Sequence, residues 1–404
     1  MNAPASIDQL LTSHQVDDPK YATLVVDGLI ELAVRAGASD LHLQPSEDGL
    51  QLKWRIDGVL QPLEIIPKQV AGNVVVRLKV LAKLLTYETH LPQEGRIVQD
   101  NHSLDIRIST FPTIFGEKVV ARFLQTGDCS RTMLGDLGLP PTVENSIRTF
   151  LTQTSGSLLI VGPAGSGKTT TAYACLREII ATSQSQRNIT SMEDPVEAVI
   201  PGVAQSEVSE SVGFDLTSGL RSLVRQDPDV IFVGEIRDPA TADIAFQAAL
   251  TGQLVISTFH ASDTTTAISR LSDMGVAPYI LRSAVNAVVA QQLVRRLCEC
   301  ATFSDASKDT DSKLGLDVDT WRIPNGCPQC QQTGYRDRQV VAEVLDFRSH
   351  EIVSAVQEAT DSSNLRSVAK QHGLQTLQEH AVDLVRQGTT SPAEIVRVLG
   401  LSNN

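Results

Sequence analysis

The apolar run SLLIV, Ser157 to Val161, leads directly into GPAGSGKTTT, Gly162 to Thr171. No other stretch limits the fold so strongly. The pattern G-x-x-x-x-G-K-[ST] is met in full, with a strand-like segment before it and a helical one, TTAYACLREII, behind it. Glycines allow backbone angles closed to other residues and let several N–H groups converge on one anion. The N-terminus of the following helix adds roughly half a positive charge at the same point. The arrangement predicts a phosphate loop for a nucleoside triphosphate, built from Gly162, Pro163, Ala164, Gly165, Ser166, Gly167, Lys168, Thr169 and Thr170. Lys168 is expected to reach the β- and γ-phosphates, and the Thr169 hydroxyl to ligate Mg²⁺.

The surrounding pattern supplies the sheet such a loop needs. SLLIVGP, RNITSME, DVIFVGE and GQLVIST are short, nearly continuous apolar runs, each followed by a polar or helical stretch. Continuous apolarity is what a parallel sheet covered on both faces demands. The expected fold class is therefore α/β, with a parallel-rich central sheet over residues 142–346.

Upstream the period changes. Tyr21 to Gly37 has helical spacing, DLHLQ and LQLKWRI alternate as strands around SEDG, and a second helix is expected over Gln69 to Leu85. GRIV, SLDIRIS and EKVVARF follow as three more strands. Residues 21–124 read as a small α+β domain behind a loose lead-in, 1–20. The turn-rich segment Gln125 to Pro141 reads as a linker, and residues 347–404 as a helical tail.

Composition excludes several classes. The 404 residues carry a formal net charge of −13, which argues against nucleic acid as a partner. Neither a signal peptide nor an apolar stretch of spanning length is seen, and six cysteines in a chain this long do not form a disulfide framework. A cytosolic location is expected.

A phosphate loop needs acids to hold magnesium and orient water. Glu235 ends the strand DVIFVGE and suits the metal-side role; SMEDPVE supplies Glu193, Asp194 and Glu197. Strand ends of open parallel sheets face the ligand crevice. His260 in STFHASD also follows a strand end, although a lone histidine is more often structural.

In this order GPAGSGKTTT, ITSMEDPVE, LRSLVRQDPDVIFVGEIRD and LVISTFHASD resemble the bacterial secretion ATPase family, whose members power type II secretion and type IV pilus assembly or retraction. ASDLHLQP, RIDG, LPQEGRI, DIRISTFPT and GEKVVAR are similar to that family's second N-terminal domain, so the resemblance spans roughly Tyr21 to Gly400. It implies a RecA-like motor domain, a hexamer, and a drive on an inner-membrane platform protein. It also implies roles: Glu193 to polarise the attacking water, Glu235 acting through Mg²⁺, and His260 touching the γ-phosphate. Arg77, Arg96, Arg107 and Arg122 lie in or beside the N-terminal motifs, where arginines of the family approach nucleotide phosphates in trans.

The chain departs from the family at Gln253, where a histidine is usual, at Gln292, where an arginine is usual, and in having only about twenty residues ahead of the first domain. The short N-terminus resembles retraction motors; the cysteines and the tail resemble assembly and secretion motors, and the matched residues favour the latter. Two further readings stay open: a nucleotide-gated scaffold with little turnover, and a nucleic-acid translocase.

Cys298, Cys300, Cys327 and Cys330 form C-E-C, 26 intervening residues, then C-P-Q-C. Four thiolates suit tetrahedral Zn²⁺ and would close an acidic excursion into a finger. The family's assembly motors carry two C-x-x-C pairs here, so this first pair is one residue short. Cys129 and Cys175 look unrelated.

Overall fold

The computed structural model describes residues 6–98, 104–125, 132–209, 212–305, 320–358 and 362–400. The chain divides into two compact units, Met1–Asp128 and Cys129–Asn404.

The first unit is a six-stranded antiparallel sheet with helices on one face. Its strands are β1 (Asp40–Pro45), β2 (Gly49–Ile56), β3 (Val59–Pro67), β4 (Gln93–Val98), β5 (Leu104–Thr113) and β6 (Gly116–Gln125), in the order β3-β2-β1-β6-β5-β4. The covering helices are α1 (Ile7–Thr12), α2 (Tyr21–Arg35) and α3 (Lys68–Leu81). Leu41, Leu43, Ile106, Ile108, Ala121 and Phe123 turn to the helices and pack on Val25, Leu29, Val74 and Leu78.

Three expectations change in this unit. Part of the loose lead-in is helical, because Ile7 and Leu10 are buried against the core and Ser6 caps the helix by accepting from the Gln9 N–H. Strand β3 was not expected. Pro62 breaks its pattern, yet β3 lies at the sheet edge, where a missing backbone donor is tolerated. The second helix stops at Leu81 rather than Leu85, and the Gln93 side chain instead bonds both the N–H and the C=O of Leu85, at 2.9 and 3.1 Å.

The second unit is built on a seven-stranded sheet. Its strands are β7 (Gly156–Val161), β8 (Ile189–Glu193), β9 (Ala204–Glu207), β10 (Val230–Val233), β11 (Leu254–Phe259), β12 (Val285–Leu297) and, after a two-stranded finger of β13 (Thr302–Asp305) and β14 (Thr320–Ile323), β15 (Tyr335–Asp346). The order is β15-β12-β7-β11-β10-β8-β9, parallel throughout except for the β12–β15 pair. Every residue of β7, β8, β10 and β11 is buried. Helices α4 (Pro141–Leu151), α5 (Lys168–Thr182), α6 (Leu216–Leu223), α7 (Pro239–Leu250), α8 (Thr264–Asp273) and α9 (Pro278–Ala284) flank this sheet. Within the segment read as a linker, Leu134 and Leu139 are buried in this unit's core; residues 126–131, which include Cys129, lie outside the described residues.

The tail is helical, as α10 (His350–Glu358), α11 (Ser362–Gln371), α12 (Leu377–Arg386) and α13 (Pro392–Leu399). One buried side chain ties it to the sheet. Glu343 of β15 accepts from the Thr264 N–H and hydroxyl, at 2.9 and 2.8 Å, and from the Leu377 N–H at 2.9 Å. A carboxylate set at the N-termini of α8 and α12 satisfies orphan helix donors and matches both dipoles.

Candidate nucleotide-binding and catalytic site

Parallel register gathers the site at one edge. Val161 of β7 stands opposite Phe259 of β11, Ser257 of β11 opposite Val233 of β10, and Val233 opposite Met192 of β8. The segments leaving these strands, which hold the glycine loop, His260, Glu235 and the acids after Met192, therefore emerge side by side.

The loop Gly162 to Gly167 turns directly into α5. Gly167 caps the helix at φ +87°, a conformation that penalises any side chain. At Gly162 an added Cβ would sit 2.4 Å from the Gln291 carbonyl oxygen. Gln291, buried on β12, donates from Nε2 to the Ser166 carbonyl at 2.9 Å and so pins the loop from the neighbouring strand.

Lys168 Nζ donates to the carbonyls of Gly162 and Pro163, both at 2.9 Å, which holds the ammonium across the mouth of the loop. Burial lowers its pKa, while the charges of Glu235 and Glu197 oppose that shift. Both carboxylates thus act electrostatically at the lysine. Thr169 Oγ1 lies 3.3 Å from Glu197 Oε1. The contact sets the Glu197 carboxylate beside the first turn of the helix, next to a hydroxyl of the kind that Mg²⁺ accepts as a ligand.

Glu235 is held from two sides. Its Oε1 is 2.8 Å from His260 Nε2, and its Oε2 accepts from Arg237 Nε at 2.8 Å. Arg237 also reaches Asp194 Oδ2 at 3.0 Å, joining the β10 and β8 ends.

Glu193, expected to polarise water, is buried beside Gly234 with its carboxylate already engaged. It is 2% exposed and accepts from the Tyr173 hydroxyl at 2.5 Å, the Ser191 hydroxyl at 2.6 Å and the Gln205 amide at 3.0 Å. The carboxylate that faces the loop is Glu197, which is exposed. The residue pattern could not separate them, because strand β8 runs to Glu193 and buries the last residue of the strand. Gln253 lies at the start of β11 with its Oε1 accepting from the Thr251 hydroxyl, about 20 Å of strand away from His260. Gln292 is half-buried on β12 opposite Val341. Tyr173, Arg237 and Gln291 were not anticipated; the spacing of Tyr173, one turn beyond Thr169 on the same helix face, was the available signal.

Three of the four arginines, Arg96, Arg107 and Arg122, fall in one row of the first unit. Arg96 of β4 stands opposite Arg107 of β5, Arg107 opposite Arg122 of β6, and Arg122 opposite Asp40 of β1, followed by Arg55 of β2. The row lies on the face away from the helices. Arg96 pairs with Asp105, and Arg122 Nε meets Asp40 Oδ1 at 2.9 Å. Among the described residues Arg107 has no ion-pair partner. Like charges directly opposite across strands are destabilising, so the row is suited to an anion. Arg77, on α3, instead lies 3.6 Å from Asp27.

The four cysteines converge. Their Sγ atoms all lie within 4.8 Å of one another, with Cys298–Cys327 at 3.8 Å, Cys300–Cys330 at 3.9 Å and Cys327–Cys330 at 3.6 Å. Four thiolates bound tetrahedrally at about 2.3 Å are separated by about 3.8 Å, so the set fits Zn²⁺. The C-x-C spacing closes because a turn follows β12, with the Ala301 N–H on the Cys298 carbonyl at 2.9 Å. Burial pushes the Cys330 thiol up, but the Cys327 and Gly334 N–H groups outweigh it and bring it down to about 6.

The family model described as "Type II/IV secretion system protein" matches residues 14–397. The chain is a secretion-system ATPase of this type II/IV family. The type II secretion system ATPase E of Vibrio cholerae is 38% identical over 384 residues, covering 93% of this chain and 74% of that protein. The type IV pilus assembly ATPase PilB of Thermus thermophilus is 37% identical over 387 residues, covering 94% of this chain and 43% of that one. Among solved structures, the ATPase DotB of Legionella pneumophila superposes with a TM-score of 0.68 at 20% identity, covering 94% and 96% of the two chains, a likeness of fold. For this secretion-system ATPase, no helix among the described residues is long and apolar enough to cross a membrane.

Proposed function

We propose that this ATPase works as a ring, of six copies as the sequence resemblance implies, that couples ATP hydrolysis to assembly of a type II secretion pseudopilus or a type IV pilus through an inner-membrane platform protein. It would lie peripheral to that membrane through its partners. The observation that carries the reading is the convergence of Lys168, Thr169, Glu197, Glu235 and His260 on one sheet edge beside the glycine loop.

Each residue then has a task. The loop amides and Lys168 bind the β- and γ-phosphates, and the lysine exchanges two carbonyls for phosphate oxygens. Thr169 and Glu235 hold Mg²⁺, which supplies charge neutralisation on the phosphates when bound. Glu197, rather than the buried Glu193, orients and takes the proton of the attacking water. His260 reports the γ-phosphate to Glu235. Arg107, flanked by Arg96 and Arg122, meets the phosphates of a neighbouring copy's nucleotide. The cysteine set holds a structural Zn²⁺.

Assembly and secretion are favoured over retraction because the four cysteines converge as a finger and the tail is built onto β15. The test is reconstitution with vesicles bearing the platform protein of a type II or type IV system. The reading expects stimulated hydrolysis by an assembly of about six chains. Turnover that neither depends on assembly nor responds to the platform contradicts it.

A further inference from the structure

Helix α5 carries two hydroxyls one turn apart, and both are bound to Glu197. Thr169 contacts the Glu197 side chain at 3.3 Å; the Tyr173 hydroxyl accepts the Glu197 N–H at 3.1 Å. The same tyrosine hydroxyl donates to Glu193 Oε2 at 2.5 Å, a short charge-assisted bond. Glu193 is held in turn by Ser191 and Gln205, and Gln205 continues to the Ala198 carbonyl at 3.0 Å and the Ile200 N–H at 2.6 Å.

One chain of buried and half-buried hydrogen bonds therefore fastens the segment 197–200 to the helix that begins at the phosphate loop. Tyr173 is 1% exposed, and its ring packs edge-on against Phe232 at 5.9 Å. Burial, together with the Glu193 charge, pushes the phenol up, so it remains a donor.

We propose that Tyr173 is a positioning residue for hydrolysis: clamped by the buried Glu193 carboxylate, its hydroxyl fixes the backbone at Glu197 and aims that side chain at Thr169 and the phosphate loop. Glu193 is the anchor of this device and does not touch the reacting water. The proposal rests on the role given to Glu197 above. The physical need is plain. Glu197 is an exposed side chain on a loop, and displacing a reacting group by about 1 Å costs roughly a hundredfold in rate.

The test uses the full chain and Tyr173→Phe, which keeps the ring and removes the hydroxyl. The expected result is a fall in kcat of about tenfold or more, with the affinity for a fluorescent ATP analogue changed by less than about twofold. In a Glu197→Gln background the same change lowers the residual rate by less than about twofold, because the group being aimed is already gone.

Wild-type kcat in Tyr173→Phe overturns the proposal. So does a parallel loss of rate and affinity, or a full multiplicative loss in the Glu197→Gln background. Wild-type turnover by Glu197→Gln alone would instead remove the role assigned to Glu197. If phenylalanine at 173 prevents folding, Glu193→Gln reads the same link by weakening the acceptor that clamps the hydroxyl. Reduced kcat at unchanged affinity, absent in the Glu197→Gln background, supports the device; unchanged kcat overturns it.

Discussion

Oε1 of Glu235 and Nε2 of His260 lie 2.8 Å apart, across the ends of two neighbouring parallel strands. Glu235 follows β10 and His260 follows β11, so one carboxylate is oriented by a group from the next strand and by Arg237 on its own loop. Removing the imidazole with His260→Ala is expected to lower kcat about 10- to 100-fold while nucleotide affinity changes far less. Steady-state kinetics beside nucleotide titration measure both; an unchanged kcat contradicts the role.

The arginines of the row differ in their partners. Arg107→Ala is expected to lower turnover of the assembled protein at least about tenfold with little change in thermal midpoint, because Arg107 has no ion-pair partner among the described residues. Arg122→Ala behaves differently. It strips a partner from Asp40, which is 5% exposed, and is expected to cost about 1 kcal/mol of stability besides any effect on rate. Thermal unfolding of the two variants distinguishes them.

The cysteine set predicts a stoichiometry. Purification without chelators should give about one equivalent of zinc per chain, and Cys327→Ser should reduce it severalfold and lower the thermal midpoint. Elemental analysis decides this. Less than about a tenth of an equivalent in the wild type contradicts the assignment.

Glu394 gives a pH dependence. Its side chain is fully buried on α13; burial raises its pKa, but Arg397 and Arg295 outweigh that and leave it below the ordinary carboxylate value. Arg295 also lies over the Tyr335 ring at 3.9 Å. A depressed carboxylate contributes stability above its unfolded pKa, near 4.5, and loses it as pH falls through the lower folded value. The thermal midpoint should therefore fall on acidification below about pH 4.5. Glu394→Gln should lose about 2 kcal/mol at neutral pH and show a flatter acid limb. Equal acid limbs in the two proteins contradict this.

Much of this was legible because it is local. The glycine loop, its strand and its helix lie within one contiguous stretch, Gly156 to Thr182, and each residue type has a single physical use there. Glu235 and His260 were legible as strand ends. What sequence spacing could not give were depth and partnership. Glu193 and Glu197 sit four residues apart in one acidic run, and only the assembled sheet shows that the first is buried at the end of β8 while the second is exposed beside Thr169. Strand β3 was hidden because its proline is harmful only in a central strand, and edge position is a property of the assembled sheet. Tyr173 carried only a helical-spacing signal, one turn beyond Thr169; its partners, Glu193 and Glu197, are reached only once α5 packs beside β8.

The most direct measurement is steady-state ATP hydrolysis by the assembled wild type beside Lys168→Ala and Glu235→Gln. The account predicts measurable Mg²⁺-dependent turnover in the wild type. It predicts a loss of about a hundredfold or more in both variants, with nucleotide affinity lost in Lys168→Ala and retained in Glu235→Gln. Three equally slow proteins would contradict it.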